Sequence, residues 1–385
     1  MSESTGKKKW IIIVVAIVLA VILAVDVVIV LMFKDTIFGT KAPTTQNTTQ
    51  ATTTVETTIE TTTAPTEPPI LYRHPLNGTP IDAPLTTRPV AISINNIQAC
   101  LPQYGVSKAD ILYEIETEGG ITRFCGLFTN LGSLDQVGPI RSARSYFNNV
   151  SAAYDAPLVH CGGSKTGIKG YYDFTHKLTD WEHLSVDASG DDPKKVAFRD
   201  LERYRELGYN WEHTLFGRGP KLLSKLKKTY GLVEEKGVDY GLTFEDAVVA
   251  RGETAENITI KFLGTKKTKM KYDATTGKYV MSEYGKDLVD AIDGSTVSFN
   301  NVMVIKADQT KKRFNGKGTL LSYYDMIGSG DGYLAINGKI EKIKWSRKKV
   351  TEPFSYTYAD GSAVTFNVGN TYVAVVDFEG TVTYK

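Results

Sequence analysis

Glu114, Glu116 and Glu118 stand two residues apart in one short run, and Arg123 follows beyond a Gly119–Gly120 break. Polar and apolar residues alternate on both sides of that break, which predicts a β-hairpin with a tight glycine turn. Residues at i and i+2 of a strand share a face, about 7 Å apart. That separation between neighbours allows one carboxyl to act as acid while another acts as base, so Glu114 or Glu118 is a candidate acid/base group. If Gly119 and Gly120 are the whole turn, Glu118 lies opposite Ile121, Glu116 opposite Arg123 and Glu114 opposite Cys125. Tyr113, Ile115, Thr117, Thr122 and Phe124 then make the core face. Outward glutamates on any solvated sheet show the same spacing, and a Glu116–Arg123 pair there contributes only about 0.2–1 kcal/mol.

Downstream, Gly138–Pro139 closes a loop, Ser142 is a candidate N-cap, and a helix is expected to reach about Tyr154. Arg141 and Arg144 fall in its first turn, where a guanidinium opposes the helix dipole. A negative partner resolves that conflict, either a ligand carboxylate or phosphate or the hairpin's own glutamates. Arg141, Ser142 and Arg144 are therefore ligand-binding candidates, with Glu116 and Arg123. Asn95 and Asn96 join them at the end of the strand predicted from Arg88.

Ala156 to Cys161 reads as a buried strand leading into Gly162–Gly163–Ser164 and a helix. That order sets His160, a third catalytic candidate, and Ser164 at a sheet's carboxyl edge, where α/β proteins bind ligands. The G-x4-G-K-[ST] order of a phosphate loop is missing. His160 and Cys161 point to opposite faces and form no nucleophile–base pair, so Cys161 is expected to be a buried structural thiol. His213, in the second of two Trp-Glu-His tripeptides, is the last binding candidate. No H-E-x-x-H or C-x-x-C spacing calls for a metal, and no cofactor is expected.

These groups must be positioned by a folded body that starts after residue 69. Residues 10–33 are almost wholly apolar, long enough to cross a bilayer, and preceded by Lys7, Lys8 and Lys9. They predict an uncleaved transmembrane anchor with residues 1–9 in the cytoplasm. Residues 34–69 are rich in Thr and Pro and have little to bury, which predicts a disordered stalk. The expected fold is an α+β or α/β N-terminal domain over 70–218, a connecting segment over 219–256, and a mainly antiparallel β domain over 257–385. Asn337–Gly338 and Asp360–Gly361 mark hairpin turns in the last. Its strands group no catalytic constellation, so a structural or adhesive role is expected there.

The chain has 385 residues, is 23% charged and carries a formal net charge of +2. Its basic residues are scattered, which argues against nucleic acid as a partner.

The segments RPVAISINN, PQYGVSKADILYE, EGGITRF, VGPIRSAR, YDAPLVHCGGS, HTLF, GYLAINGKIEKIKW and ADGSAVTFNVGNTYVAVV occur in this order between Pro75 and Asp377. In them the chain resembles the YerB-like family of bacterial envelope proteins. The resemblance implies a Gram-positive type of bacterium and two domains of unknown function, with no settled activity. Many members look like lipoproteins; this chain departs from them with its apolar span. Two functions follow as expectations. One is an envelope protein that binds an anionic wall component or a protein partner through the N-terminal domain. The other is a wall-acting hydrolase or transferase using Glu/His acid–base chemistry.

Overall fold

The computed structural model describes residues 72–163, 186–187, 195–230, 237, 239–313 and 320–385. The expected anchor over 10–33, the stalk and Ser164 lie outside them. No helix among the described residues is long and apolar enough to cross a membrane.

The strands that position the site are β1 (Val90–Asn96), β2 (Ile111–Glu116), β3 (Thr122–Phe128), β4 (Leu158–Val159), β5 (Asn257–Lys261), β6 (Lys267–Asp273) and β7 (Lys278–Glu283). They continue with β8 (Asn301–Lys306), β9 (Gly328–Ile336), β10 (Lys339–Arg347), β11 (Thr371–Val376) and β12 (Thr381–Tyr384). A ten-stranded mixed sheet runs Glu253–Thr254, β10, β9, β8, β11, β2, β3, β1, β4, with Ser355–Tyr358 paired to β10. Within it β11 is parallel to both β8 and β2, so one sheet takes strands from both the 70–218 and the 257–385 segments. A six-stranded antiparallel sheet runs Lys286–Asp287, β7, β6, β5, β12, with Ser298–Phe299 on β7.

The fold is mostly β, with few helices. The α+β or α/β expectation for the N-terminal segment is corrected on that point: among its described residues the longest helix is α1, the nine residues Ser145–Ala153. The central strands β1, β2 and β3 are buried along their whole length because both of their faces are covered. One face packs Ile92, Ile94, Leu112 and Phe124 against Ile258, Ile260, Met270, Tyr279 and Met281 of the smaller sheet. The other packs Tyr113, Ile115, Cys125 and Leu127 beneath Tyr146, Phe147 and Val150 of α1. A strand covered on both sides loses its solvated face, so any charge on β2 must be satisfied inside the protein.

The C-terminal region is mainly antiparallel. Ile336 pairs with Lys339 across Asn337 (φ 51°) and Gly338 (φ 77°), the two left-handed positions that an Asn-Gly hairpin turn requires.

Candidate functional site

Register decides where the hairpin glutamates point. Glu116 pairs with Thr122, Ile115 with Arg123, Glu114 with Phe124 and Tyr113 with Cys125, one residue away from the expected register. The backbone N–H of Thr117 donates to the Ile121 carbonyl at 2.7 Å, so Glu118 enters the loop with Gly119 (φ 82°) and Gly120 (φ 71°). Two consecutive left-handed glycines plus Glu118 make a three-residue loop. The slip exchanges the faces: Glu114 and Glu116 share Phe124's side, toward the smaller sheet, and Arg123 lies on the opposite side.

Glu114 is therefore fully buried between the sheets. Its Oε1 accepts from Thr122 Oγ1 at 2.6 Å, and its Oε2 from Tyr372 Oη at 2.6 Å and Thr268 Oγ1 at 2.8 Å. Glu283, on β7, comes from the facing sheet; its Oε1 accepts from Asn96 Nδ2 at 2.9 Å. Lys266 Nζ lies 2.7 Å from Glu283 Oε2 and 3.7 Å from Glu114 Oε1, with its ammonium 4.1 Å from the centre of the Tyr284 ring. Gln103 Nε2 donates to Asn96 Oδ1 at 3.0 Å, which turns the Asn96 amide nitrogen toward both carboxyls. Burial and the Glu114 charge push Glu283 up to about 8, against the pull of Lys266. Burial lowers Lys266, but Glu114 and Glu283 outweigh it and hold the ammonium above its ordinary value. The two sheets are thus joined here by the Lys266 ion pairs and by the hydroxyl and amide bonds to the Glu114 and Glu283 carboxyls.

Lys266 is also the floor of a cleft of about 470 Å³. Gly120, Ile121, Thr265, Lys267, Lys269, Ser282, Tyr284 and Gly285 complete its lining. The hairpin loop and the turn before β6 meet glycine to glycine: a Cβ on Gly264 would fall 2.5 Å from the Gly120 Cα. Gly264 N–H donates to Glu116 Oε2 at 3.0 Å, tying that turn to β2. Burial raises the Glu116 pKa despite this bond.

The residues expected to gather around Arg141 and Arg144 instead satisfy one another. Arg144 grips Glu118 through Nε at 2.8 Å and Nη2 at 2.6 Å, and Ser322 N–H donates to the same carboxylate at 3.1 Å. Burial raises Glu118, but the bonds and charge of Arg144 outweigh it and hold the carboxyl below its ordinary range. The hairpin supplies Arg144's anion. Arg141 Nη2 lies 3.7 Å from Glu212 Oε1, and the same carboxylate sits 3.6 Å from His213 Nε2. Asn95 Nδ2 donates to His213 Nδ1 at 2.8 Å, and burial lowers the His213 pKa, with Arg141 adding to it. Arg123 does not pair with Glu116; its Nη1 donates to the Ser142 carbonyl at 2.5 Å, and burial brings it down to about 10. Ser142 does not cap α1. The N-cap is Arg144, and the Ser142 hydroxyl donates to the Cys161 carbonyl at 2.8 Å. His160 is buried and its Nδ1–H donates to the Gly162 carbonyl at 2.7 Å, while Cys161 is only half-buried.

Arg144→Ala will thus cost roughly 1–3 kcal/mol, by stranding a partly buried Glu118. Thermal melts of the variant against wild type check it.

The 257–385 segment, expected to carry no constellation, supplies Lys266, Thr268, Glu283, Tyr284 and Tyr372. One signal was available in the sequence. In Lys278–Glu283 the alternation puts Glu283 in phase with Tyr279 and Met281, which are core residues, so its carboxyl had to face inward.

Residues 76–232 match the family described as "Protein of unknown function (DUF3048) N-terminal domain", and residues 258–373 match its C-terminal domain. The chain belongs to this two-domain family. Among its relatives is the Bacillus subtilis (strain 168) protein described as "Putative lipoprotein YerB", 26% identical over 320 residues, covering 78% of this chain and 85% of the relative. The crystal structure of the YerB protein from Bacillus subtilis superposes with a TM-score of 0.65 at 25% identity, over 81% of this chain and 99% of that one.

Proposed function

We propose that the chain is an extracytoplasmic envelope protein that captures an anionic cell-wall component in the cleft above Lys266. In this reading residues 10–33 hold it in the membrane, N-terminus inside. The lipoprotein description of its relative supports the envelope assignment. The lining of the cleft carries the ligand assignment: three lysines, the hydroxyls of Thr265 and Ser282, the Tyr284 ring, and no carboxylate. Such a lining suits phosphate or carboxylate groups borne on a hydroxyl-rich scaffold. Because Glu114 and Glu283 compensate Lys266, the positive potential comes chiefly from Lys267 and Lys269.

The hydrolase alternative has weaker support. Glu118 is committed to Arg144, and Glu114 and Glu283 are buried beneath Lys266 and absent from the lining. A general acid must reach the bond it protonates.

Titrating the full chain with soluble anionic wall fragments tests the reading. Wild type binds, and K267E/K269E loses at least about tenfold in affinity, some 1.4 kcal/mol, at an unchanged melting temperature. Equal binding by the variant removes the cleft assignment. Cleavage of the fragments would support the hydrolase instead.

A further inference from the structure

We infer that the outer face of the six-stranded sheet is a docking platform for a linear polyanion that continues out of the cleft. This rests on the cleft reading for its direction, but on different residues for its evidence.

Alternation along β6 turns Thr268 and Met270 into the core and leaves Lys267, Lys269 and Lys271 exposed on the outside. On β5, Ile258 and Ile260 are buried while Lys261 is exposed. Pairing puts Lys261 directly opposite Lys267. Like charges directly opposite on one sheet face repel, so the arrangement costs stability that the fold alone does not repay. The neighbouring outward positions supply hydroxyls and amides, not acids: Asn257 and Thr259 on β5, Thr381 and Thr383 on β12, Ser282 on β7. Carboxylates appear only at the margins of the face, and both are engaged. Asp287 accepts from Ser282 Oγ at 2.6 Å, and Asp273 accepts from Thr276 Oγ1 at 2.9 Å.

Lysines on alternate residues of a strand repeat every 7 Å or so, and neighbouring strands are about 4.8 Å apart. A chain with a phosphate or carboxylate in each repeat can meet several of these ammonium groups at once, with Thr, Ser and Asn between them for its hydroxyls. Lys267 and Lys269 line the cleft as well as the face, which makes the two one continuous basic track. A bilayer is a poorer fit, because surface-binding elements add apolar side chains that insert between headgroups. Here the β5 and β6 outward positions through Lys271 carry none, and Val280 on β7 is half-buried.

The test titrates the full chain with poly(glycerol phosphate), with monomeric glycerol phosphate and with phosphatidylglycerol vesicles, using K261Q/K271Q, whose altered residues lie outside the cleft. Wild type is expected to prefer polymer to monomer. The variant should lose about five- to tenfold in polymer affinity, with a salt dependence shallower by about two, and keep wild-type binding of the monomer. Unchanged polymer affinity in the variant, or no preference of wild type for polymer over monomer, overturns the platform and leaves the cleft standing. Failure of wild type to bind either phosphate probe removes both. Vesicle binding that equals polymer binding and depends on the same two lysines overturns the polymer assignment in favour of a lipid surface.

Discussion

Replacing Lys266 by Met will destabilise the folded body by about 3–5 kcal/mol near neutral pH, the cost of breaking a buried ion pair by removing one partner. Glu114 and Glu283 lie wholly inside the interface between the sheets, and Lys266 is the cation within 4 Å of both. Methionine keeps the stem's packing volume, so the loss reports charge and not a cavity. Acid pH will shrink it, since a protonated carboxyl needs no counter-ion. Denaturant melts of wild type and K266M at two pH values measure the effect; a loss below 1 kcal/mol at neutral pH would mean the trio holds nothing together.

The second large effect is a pH dependence in the unusual direction for a carboxyl. Glu283 holds its proton more tightly in the folded chain than in the unfolded one, so the folded state binds more protons between the two pKa values. Stability contributed by such a group is complete below the unfolded pKa, near 4.5, and is lost as pH rises through the folded value of about 8. Between pH 5 and pH 9 wild type should lose on the order of 3 kcal/mol from this source. Glu116, also raised by burial, adds a smaller loss of the same sign. Lys266, raised as well, acts only above its ordinary value near 10.5 and does not enter this window. E283Q keeps a neutral side chain beside Lys266, so the share of the pH dependence that Glu283 supplies should be absent from its curve. Chemical denaturation across pH separates the two curves, and parallel curves would mean that Glu283 ionises normally.

Much of the fold was legible from local pattern. Val90–Asn96, the glycine hairpin, the Asn337–Gly338 turn and most C-terminal strands announced themselves by alternation and turn residues. The site was not, for two physical reasons. The register of the first hairpin turned on whether Glu118 belonged to the strand or the loop, and a one-residue slip moved Glu114 and Glu116 to the other face while Glu118 entered the loop. The cluster itself is made by stacking two sheets whose contributing residues are far apart in the chain, and no local period encodes which faces meet. Arg144 illustrates the intermediate case. Its position at a helix start required an anion, and the sequence allowed either a ligand or the hairpin; Glu118 supplies it.

We propose that the cleft over Lys266, and not the Arg141–Arg144 region, is where the body takes its ligand. Hydrogen–deuterium exchange of the full chain, with and without soluble anionic wall fragments, tests it directly. Binding should protect amides within residues 118–121, 264–269 and 282–285. Protection confined to residues 140–146 and 210–214, with the cleft segments unchanged, would contradict it.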